Sequence, residues 1–183
     1  MSEISFSKYS GLILHHNIDL IRREIAIDGD ITDRRARKFD KQMKVLESQE
    51  GEITVTVNTY GGSIHACFAI IDRIRASGCV VNTVGTGVVM SAGLSILAAG
   101  ENRKATKYCT FMHHGLSGES GFTNIPNQEA ALKGSKELDR VRFRHLAERT
   151  SKPYSFWAST GKHVDHSFNS EQAKEYGLIN EIV

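Results

Sequence analysis

The stretch Gly85-Thr86-Gly87-Val88-Val89-Met90-Ser91-Ala92-Gly93-Leu94-Ser95-Ile96-Leu97-Ala98-Ala99-Gly100 decides the fold. An apolar run from Cys79 to Val84 leads into it as a strand. The segment from Ser91 to Ala99 has the small and aliphatic composition of a buried helix. Ser91 stands where one pattern gives way to the other. Two roles suit a serine there. It could cap the helix by accepting a bond from one of the unpaired first-turn N–H groups. It could also serve as a nucleophile. Ala92 and Gly93 are small enough to let a substrate backbone approach. The free N–H groups and positive end of the helix would then stabilise a developing oxyanion. The segment is not a Gly-x-Ser-x-Gly elbow, because Val89 holds the first glycine position.

Upstream, the same strand-then-helix order occurs twice more. Glu24 to Asp28 alternates as a strand does, and Gly29-Asp30 turns the chain. Thr32 then caps a helix reaching about Gln49, with Ala36, Phe39, Met43 and Leu46 on one stripe. Ile53 to Asn58 is a second strand. Thr59 to Ser63 turns sharply into a helix with Ile64, Phe68, Ile71 and Ile74 on one face, stopped by Ser77-Gly78. Strand–helix repeats at this spacing predict an α/β fold with parallel pairing and right-handed crossovers.

Downstream the signals shorten. Ala105–Lys107 and Cys109–Met112 are β-prone, and His114 to Asn127 reads as a loop with Pro126 at the first turn of the next helix. Gln128 to Thr150 is a long charged helix whose apolar positions Ala131, Leu138, Val141 and Leu146 make only a broken stripe. Such a helix buries little against its own domain and is expected to project toward another subunit. A short helix at Phe156-Trp157 follows. Then come a polar loop from Lys162 to Asn169, a brief helix from Ser170 to Tyr176, and a closing strand from Leu178 to Val183.

A chain of 183 residues suits one domain, here residues 18–183, preceded by an arm over 1–17. The net charge of +2 is too small to argue for nucleic acid. No apolar run is long enough to span a bilayer. Cys67, Cys79 and Cys109 are odd in number and widely spaced, as reduced thiols in a cytoplasmic protein would be.

Gly61-Gly62 also follows a strand and opens a helix. Neither Gly-x-Gly-x-x-Gly nor Gly-Lys-Ser/Thr is present, which speaks against a phosphate loop. A plain tight turn remains, as does a bare backbone that offers N–H groups to a carbonyl. A serine nucleophile needs a base and a group to orient that base. His65, His113, His114, His145, His163 and His166 are the candidate bases. His113 ends a strand-like run and opens a loop, so it could lie beside Ser91. Asp165, in a polar loop before the last helix, is the candidate orienter. No His-Glu-x-x-His and no Cys/His ligand pair points to a metal.

Four segments in register resemble the Clp protease proteolytic subunit family. Val57-Asn58-Thr59-Tyr60-Gly61-Gly62 is similar to its Ile-Asn-Ser-Pro-Gly-Gly. Gly85 to Gly100 is similar to its Gly-x-Ala-Ala-Ser-Met-Gly-Ala-x-Leu-Leu-x-Ala-Gly. Thr110 to Gly118 resembles Val-Met-Ile-His-Gln-Pro-Leu-Gly-Gly, and Asp165 to Asn180, ending Glu175-Tyr176-Gly177-Leu178-Ile179-Asn180, resembles the family's closing motif. The resemblance implies Ser91 as nucleophile, His113 as general base and Asp165 as the orienting carboxylate. It implies an oxyanion hole from the N–H groups of Gly62 and Ala92, with no cofactor and no metal. It further implies a ClpP/crotonase-like spiral of parallel βαβ units and a projecting handle helix at about residues 128–150. Also implied are a homo-oligomer of stacked heptameric rings, peptide or unfolded-protein substrates, an AAA+ Clp ATPase as partner, and a cytoplasmic location.

The sequence departs from that pattern in places. Tyr60 and Gly115 stand where the family has proline, and Val88-Val89-Met90 replaces a small pair. The link from Gly100 to His113 is short, and the arm before Asn17 does not match the family's axial loop, which bears on ATPase docking. Compact versions of this kind resemble phage-encoded ones. Three alternatives therefore stand beside the degradative peptidase: a capsid maturation protease working without an ATPase, an inactive ring subunit, and an acyl-CoA enzyme of the crotonase class. Against the last, no Asp or Glu lies in the segments around Gly62 and Ser91.

Overall fold

The computed structural model describes residues 13, 15–116, 125–161 and 164–183. The elements in chain order are β1 (Ile18–Asp19), β2 (Glu24–Asp28), α1 (Asp33–Leu46), β3 (Ile53–Thr59), α2 (Ile64–Arg75), β4 (Val81–Met90) and α3 (Ala92–Ala99). They continue with β5 (Arg103–Ala105), β6 (Thr110–His113), α4 (Ile125–Arg149), α5 (Tyr154–Ser159), β7 (His166–Asn169), α6 (Ser170–Glu175) and β8 (Glu181–Ile182).

The sheet runs β1-β2-β3-β4-β5-β8, and β6 branches from β4 and carries β7 on its far edge. The pairs β2–β3, β3–β4, β4–β5, β4–β6 and β5–β8 are parallel, as the repeated strand–helix order requires. Among the described residues only β1–β2 and β6–β7 are antiparallel. Strand β4 is the spine. Residues 83–85 pair with β5 and residues 88–90 with β6. Between those sections Gly87 takes φ 58, and the Asn58 side chain accepts from the Val88 N–H at 3.2 Å. The turn lets one strand serve two partners.

Thr32 caps α1 by accepting from Arg35 N–H, and Phe39, Met43 and Leu46 are buried along it. Ala66, Cys67, Ile70, Ile71 and Ile74 bury the inner face of α2. Every residue of α3 is buried, so this short apolar helix sits at the centre of the molecule. Helix α4 behaves differently. Arg142, Phe143 and Leu146 are its buried residues, and residues 125–134 are exposed on every side. Its first half therefore stands off the body.

Two expectations need correction. The third strand does not stop at Val84 but runs to Met90, because Val88-Val89-Met90 finds a second partner in β6. The polar loop expected over Lys162–Asn169 contains β7: His166 to Asn169 pairs with His113 to Thr110, and Phe168 stacks on Phe111 with ring centroids 5.3 Å apart. Most of the expected arm, residues 1–12 and 14, lies outside the described residues. Among the described residues no helix is long and apolar enough to cross a membrane.

Candidate active site

Ser91 lies between the last residue of β4 and the first of α3, with φ 52 and ψ −116. A non-glycine residue held at positive φ stores backbone strain of about 1–3 kcal/mol, and such strain persists only where the surroundings enforce it. Here the enforcement is visible. Ser91 N–H donates to Met112 C=O at 2.8 Å, and Ser91 C=O accepts from Leu94 N–H at 3.2 Å. Ser91 occupies the N-cap position of α3, yet its hydroxyl makes no cap hydrogen bond. That hydroxyl meets His114 instead, with Oγ and Nε2 2.7 Å apart.

The histidine against Ser91 is thus His114, and the expectation for His113 is corrected. Strand alternation gives the physical reason. Phe111 and His113 are buried on one face of β6, whereas Met112 on the other face and His114, the residue after the strand, are only half-buried. His113 is fully buried, with Phe143 and Trp157 edge-on to its ring at 5.3 and 5.2 Å. Its Nε2 donates to Trp157 C=O at 2.7 Å, so that nitrogen carries its proton and cannot take one from a hydroxyl. Burial pushes the His113 pKa down to about 4, and the nearby Arg142 charge adds to the effect. The signal was present in the sequence: a residue two along from the apolar Phe111 belongs to the core face.

Asp165 is exposed. The β6–β7 register pairs Met112 with Ser167 and His113 with His166. Asp165 directly precedes β7 and His114 directly follows β6, so the two flank the same end of this strand pair. Among the described residues the Asp165 carboxyl takes no hydrogen bond, so register and not contact links it to the site. The carboxylate that does touch the His114 segment is Asp139 of α4, which accepts from Leu116 N–H at 3.2 and 3.0 Å.

Gly61 and Gly62 pass beside Ser91 as bare backbone, at φ 114 and 144. Ile31 N–H donates to Gly61 C=O and Ser63 N–H to Ile31 C=O, a parallel bridge in which Ile31 uses the groups on either side of Gly62. The N–H of Gly62 is therefore not used by Ile31 and is directed away from it. Ala92 begins α3, so its N–H has no partner inside the helix.

The other candidate bases lie elsewhere. His65 is exposed on α2, and His166 packs on Tyr176. His145 on α4 donates from Nε2 to Ser95 C=O at 2.9 Å, and burial lowers its pKa. His163 lies outside the described residues. Among the described residues no three His, Cys, Asp or Glu side chains gather as metal ligands.

A strained serine at a strand-to-helix junction, with its hydroxyl within hydrogen-bond reach of an imidazole and the first amides of a helix beside it, suits serine hydrolysis. The chain belongs to the Clp protease family, whose model matches residues 15–183. It is 35% identical to the ATP-dependent Clp protease proteolytic subunit 2 of Borreliella burgdorferi, over 88% of this chain and 82% of that one. A point mutant of ClpP1 from Listeria monocytogenes superposes with a TM-score of 0.82 at 30% identity, covering 90% of this chain and 92% of the other. The chain is accordingly a serine peptidase subunit of that family, with proteins as its substrates. Membership selects the peptidase over the acyl-CoA chemistry that shares the spiral.

Proposed function

We propose that Ser91, His114 and Asp165 form the catalytic triad of this peptidase, with the N–H groups of Gly62 and Ala92 as the oxyanion hole. The observation that carries the reading is the 2.7 Å contact between His114 Nε2 and an Oγ whose backbone is held at positive φ. In the resting state the hydroxyl donates to Nε2, which leaves the imidazole proton on Nδ1, the atom a carboxylate would hold. Ser91 Oγ attacks the scissile carbonyl carbon as Nε2 takes its proton. The oxygen becomes an oxyanion and accepts from the two amides. The tetrahedral species collapses, the imidazolium gives its proton to the leaving amine, and the acyl chain stays on Oγ. Water, activated by the same imidazole, then releases the acid.

Asp165 enters this scheme by register. A modest rotation of its side chain toward Nδ1 completes the triad, and catalytic hydrogen bonds commonly tighten when substrate binds. The exposed first half of α4 supports assembly into stacked rings, since a helix that buries so little alone gains by meeting a second copy. Within such a chamber the subunit would cleave unfolded protein delivered by an AAA+ partner. A phage-type maturation role remains the variant in which no such partner docks.

The test is turnover of a fluorogenic peptide, together with fluorophosphonate labelling. Ser91→Ala and His114→Ala should each lose at least about a hundredfold in kcat. Ser91→Ala should also abolish the label. Unchanged cleavage by either variant overturns the assignment.

A further inference from the structure

The segment that carries His114 is not held by its own strand. β6 ends at His113, and the next residues, His114, Gly115 and Leu116, have no regular structure. Gly115 has more backbone freedom than any other residue type, and it stands where the related motif has proline. A base on so loose a support would not stay within hydrogen-bond reach of Ser91 without an external hold.

That hold comes from α4. Arg142 is 1% exposed, and a buried guanidinium has to be paired. Its Nη2 donates to His114 C=O and to Asp139 Oδ1, the latter at 3.0 Å. Asp139 in turn takes the Leu116 N–H on both carboxylate oxygens. Gly115 N–H donates to Gly161 C=O at 3.1 Å. Backbone groups on three successive residues are thus fixed from outside, two of them by one charged pair, one turn apart on a single helix.

One turn further along, α4 holds the nucleophile's helix as well. His145 donates to Ser95 C=O. Arg149 donates to Ala98 C=O at 2.9 Å and to Gly100 C=O at 2.7 Å, capping the carbonyl end of α3. Base segment and nucleophile helix are both bonded to residues 139–149.

We propose that the Asp139–Arg142 pair positions His114, acting through the backbone of residues 114–116 and without touching substrate. The proposal rests on the reading of His114 as the base. Misplacing a base by a fraction of an ångström weakens proton transfer but leaves peptide binding alone, so the effect belongs in kcat and not in KM.

The experiment uses the assembled full-length protein and the variants Asp139→Asn, Arg142→Lys and Asp139→Asn with Gly115→Ala. It reads kcat, KM, the rate of fluorophosphonate labelling of Ser91, the melting temperature and the assembly size by sedimentation. Asp139→Asn should lower kcat and labelling by about tenfold or more with KM within about twofold. Gly115→Ala should restore part of the loss by stiffening the segment. A Cβ there would meet Asp139 Oδ2 only at ordinary contact distance, 3.5 Å. Wild-type kcat in both Asp139→Asn and Arg142→Lys overturns the proposal. So does a fall in kcat that only tracks lost assembly or lost melting temperature, which would mark the pair as structural. His114→Ala is run alongside: if it is inactive while the Asp139 variant is fully active, only the positioning role fails, and if it is active the triad itself fails.

Discussion

Gly61 lies against Ser91 so closely that a Cβ on Gly61 would come within 2.8 Å of the Ser91 Cβ and 3.3 Å of its Oγ. It would also meet Met90 C=O at 3.2 Å, and the glycine sits at φ 114, a backbone that side chains rarely adopt. The site is therefore narrow by construction. Gly61→Ala should push Ser91 off His114 and cut peptide turnover by about a hundredfold or more, with a lower melting temperature. Gly78, whose Cβ would meet nothing within 4 Å, is the control: Gly78→Ala should keep wild-type turnover. Equal activity in the two variants would contradict the close approach.

His113 and His114 are adjacent in sequence but meet different partners, Trp157 C=O and Ser91 Oγ, and substitution separates them. His113→Phe keeps an aromatic ring between Phe143 and Trp157 and leaves Trp157 C=O without its donor. The expected cost is about 1–3 kcal/mol of stability, with peptide turnover retained. His114→Ala touches no core packing and should abolish turnover while melting like the wild type. Thermal melts and a peptide assay on both proteins decide the matter. The reverse pattern would restore His113 as the base.

The one-residue slip between those histidines shows how far the sequence is legible. The βαβ units were readable because each carries a long periodic pattern: Ile53, Val55 and Val57 are all buried, and Phe39, Met43 and Leu46 share the inner stripe of α1. The strand-to-helix junction at Ser91 was readable because composition changes sharply on either side of it. The histidine register was carried by only four strand residues, Thr110 to His113, and motif similarity favoured the first histidine over alternation. β7 was missed because His166 and Asn169 are polar edge residues, and its only buried side chain, Phe168, packs on Phe111 from another strand. The Asp139–Arg142 hold was invisible in sequence. Nothing in a charged helix marks one arginine as buried until the loop it binds is placed.

Stability should depend on acidity through His113. Its folded-state pKa, about 4, lies below the ordinary value of 6.5 because burial disfavours the charged ring. Between those values the unfolded chain binds a proton that the folded chain refuses. The contribution is therefore complete above pH 6.5 and is lost progressively as pH falls toward 4, by on the order of 3 kcal/mol for such a gap. His145, buried and shifted in the same direction, adds to the slope. Urea unfolding at several pH values should show wild-type stability dropping through this window, with a shallower drop in His113→Phe. Parallel curves for the two proteins would mean that His113 protonates without unfolding.

Strain at Ser91 gives a prediction in which stability and activity move in opposite directions. The residue holds φ 52 and ψ −116 without a side-chain cap bond to repay it. Ser91→Ala removes the hydroxyl but keeps the Cβ, and so keeps the backbone cost. Ser91→Gly removes both, and glycine adopts positive φ without steric penalty. Part of that gain is offset, because glycine also loosens the unfolded chain. The net expectation is that both variants are inactive and that Ser91→Gly is more stable than Ser91→Ala by about 1 kcal/mol. Helix interiors show the opposite order, since glycine there is less stable than alanine by a similar amount. The comparison thus reads the backbone at residue 91 directly: urea midpoints higher for glycine report a serine held under strain for attack, and midpoints higher for alanine report an ordinary first turn.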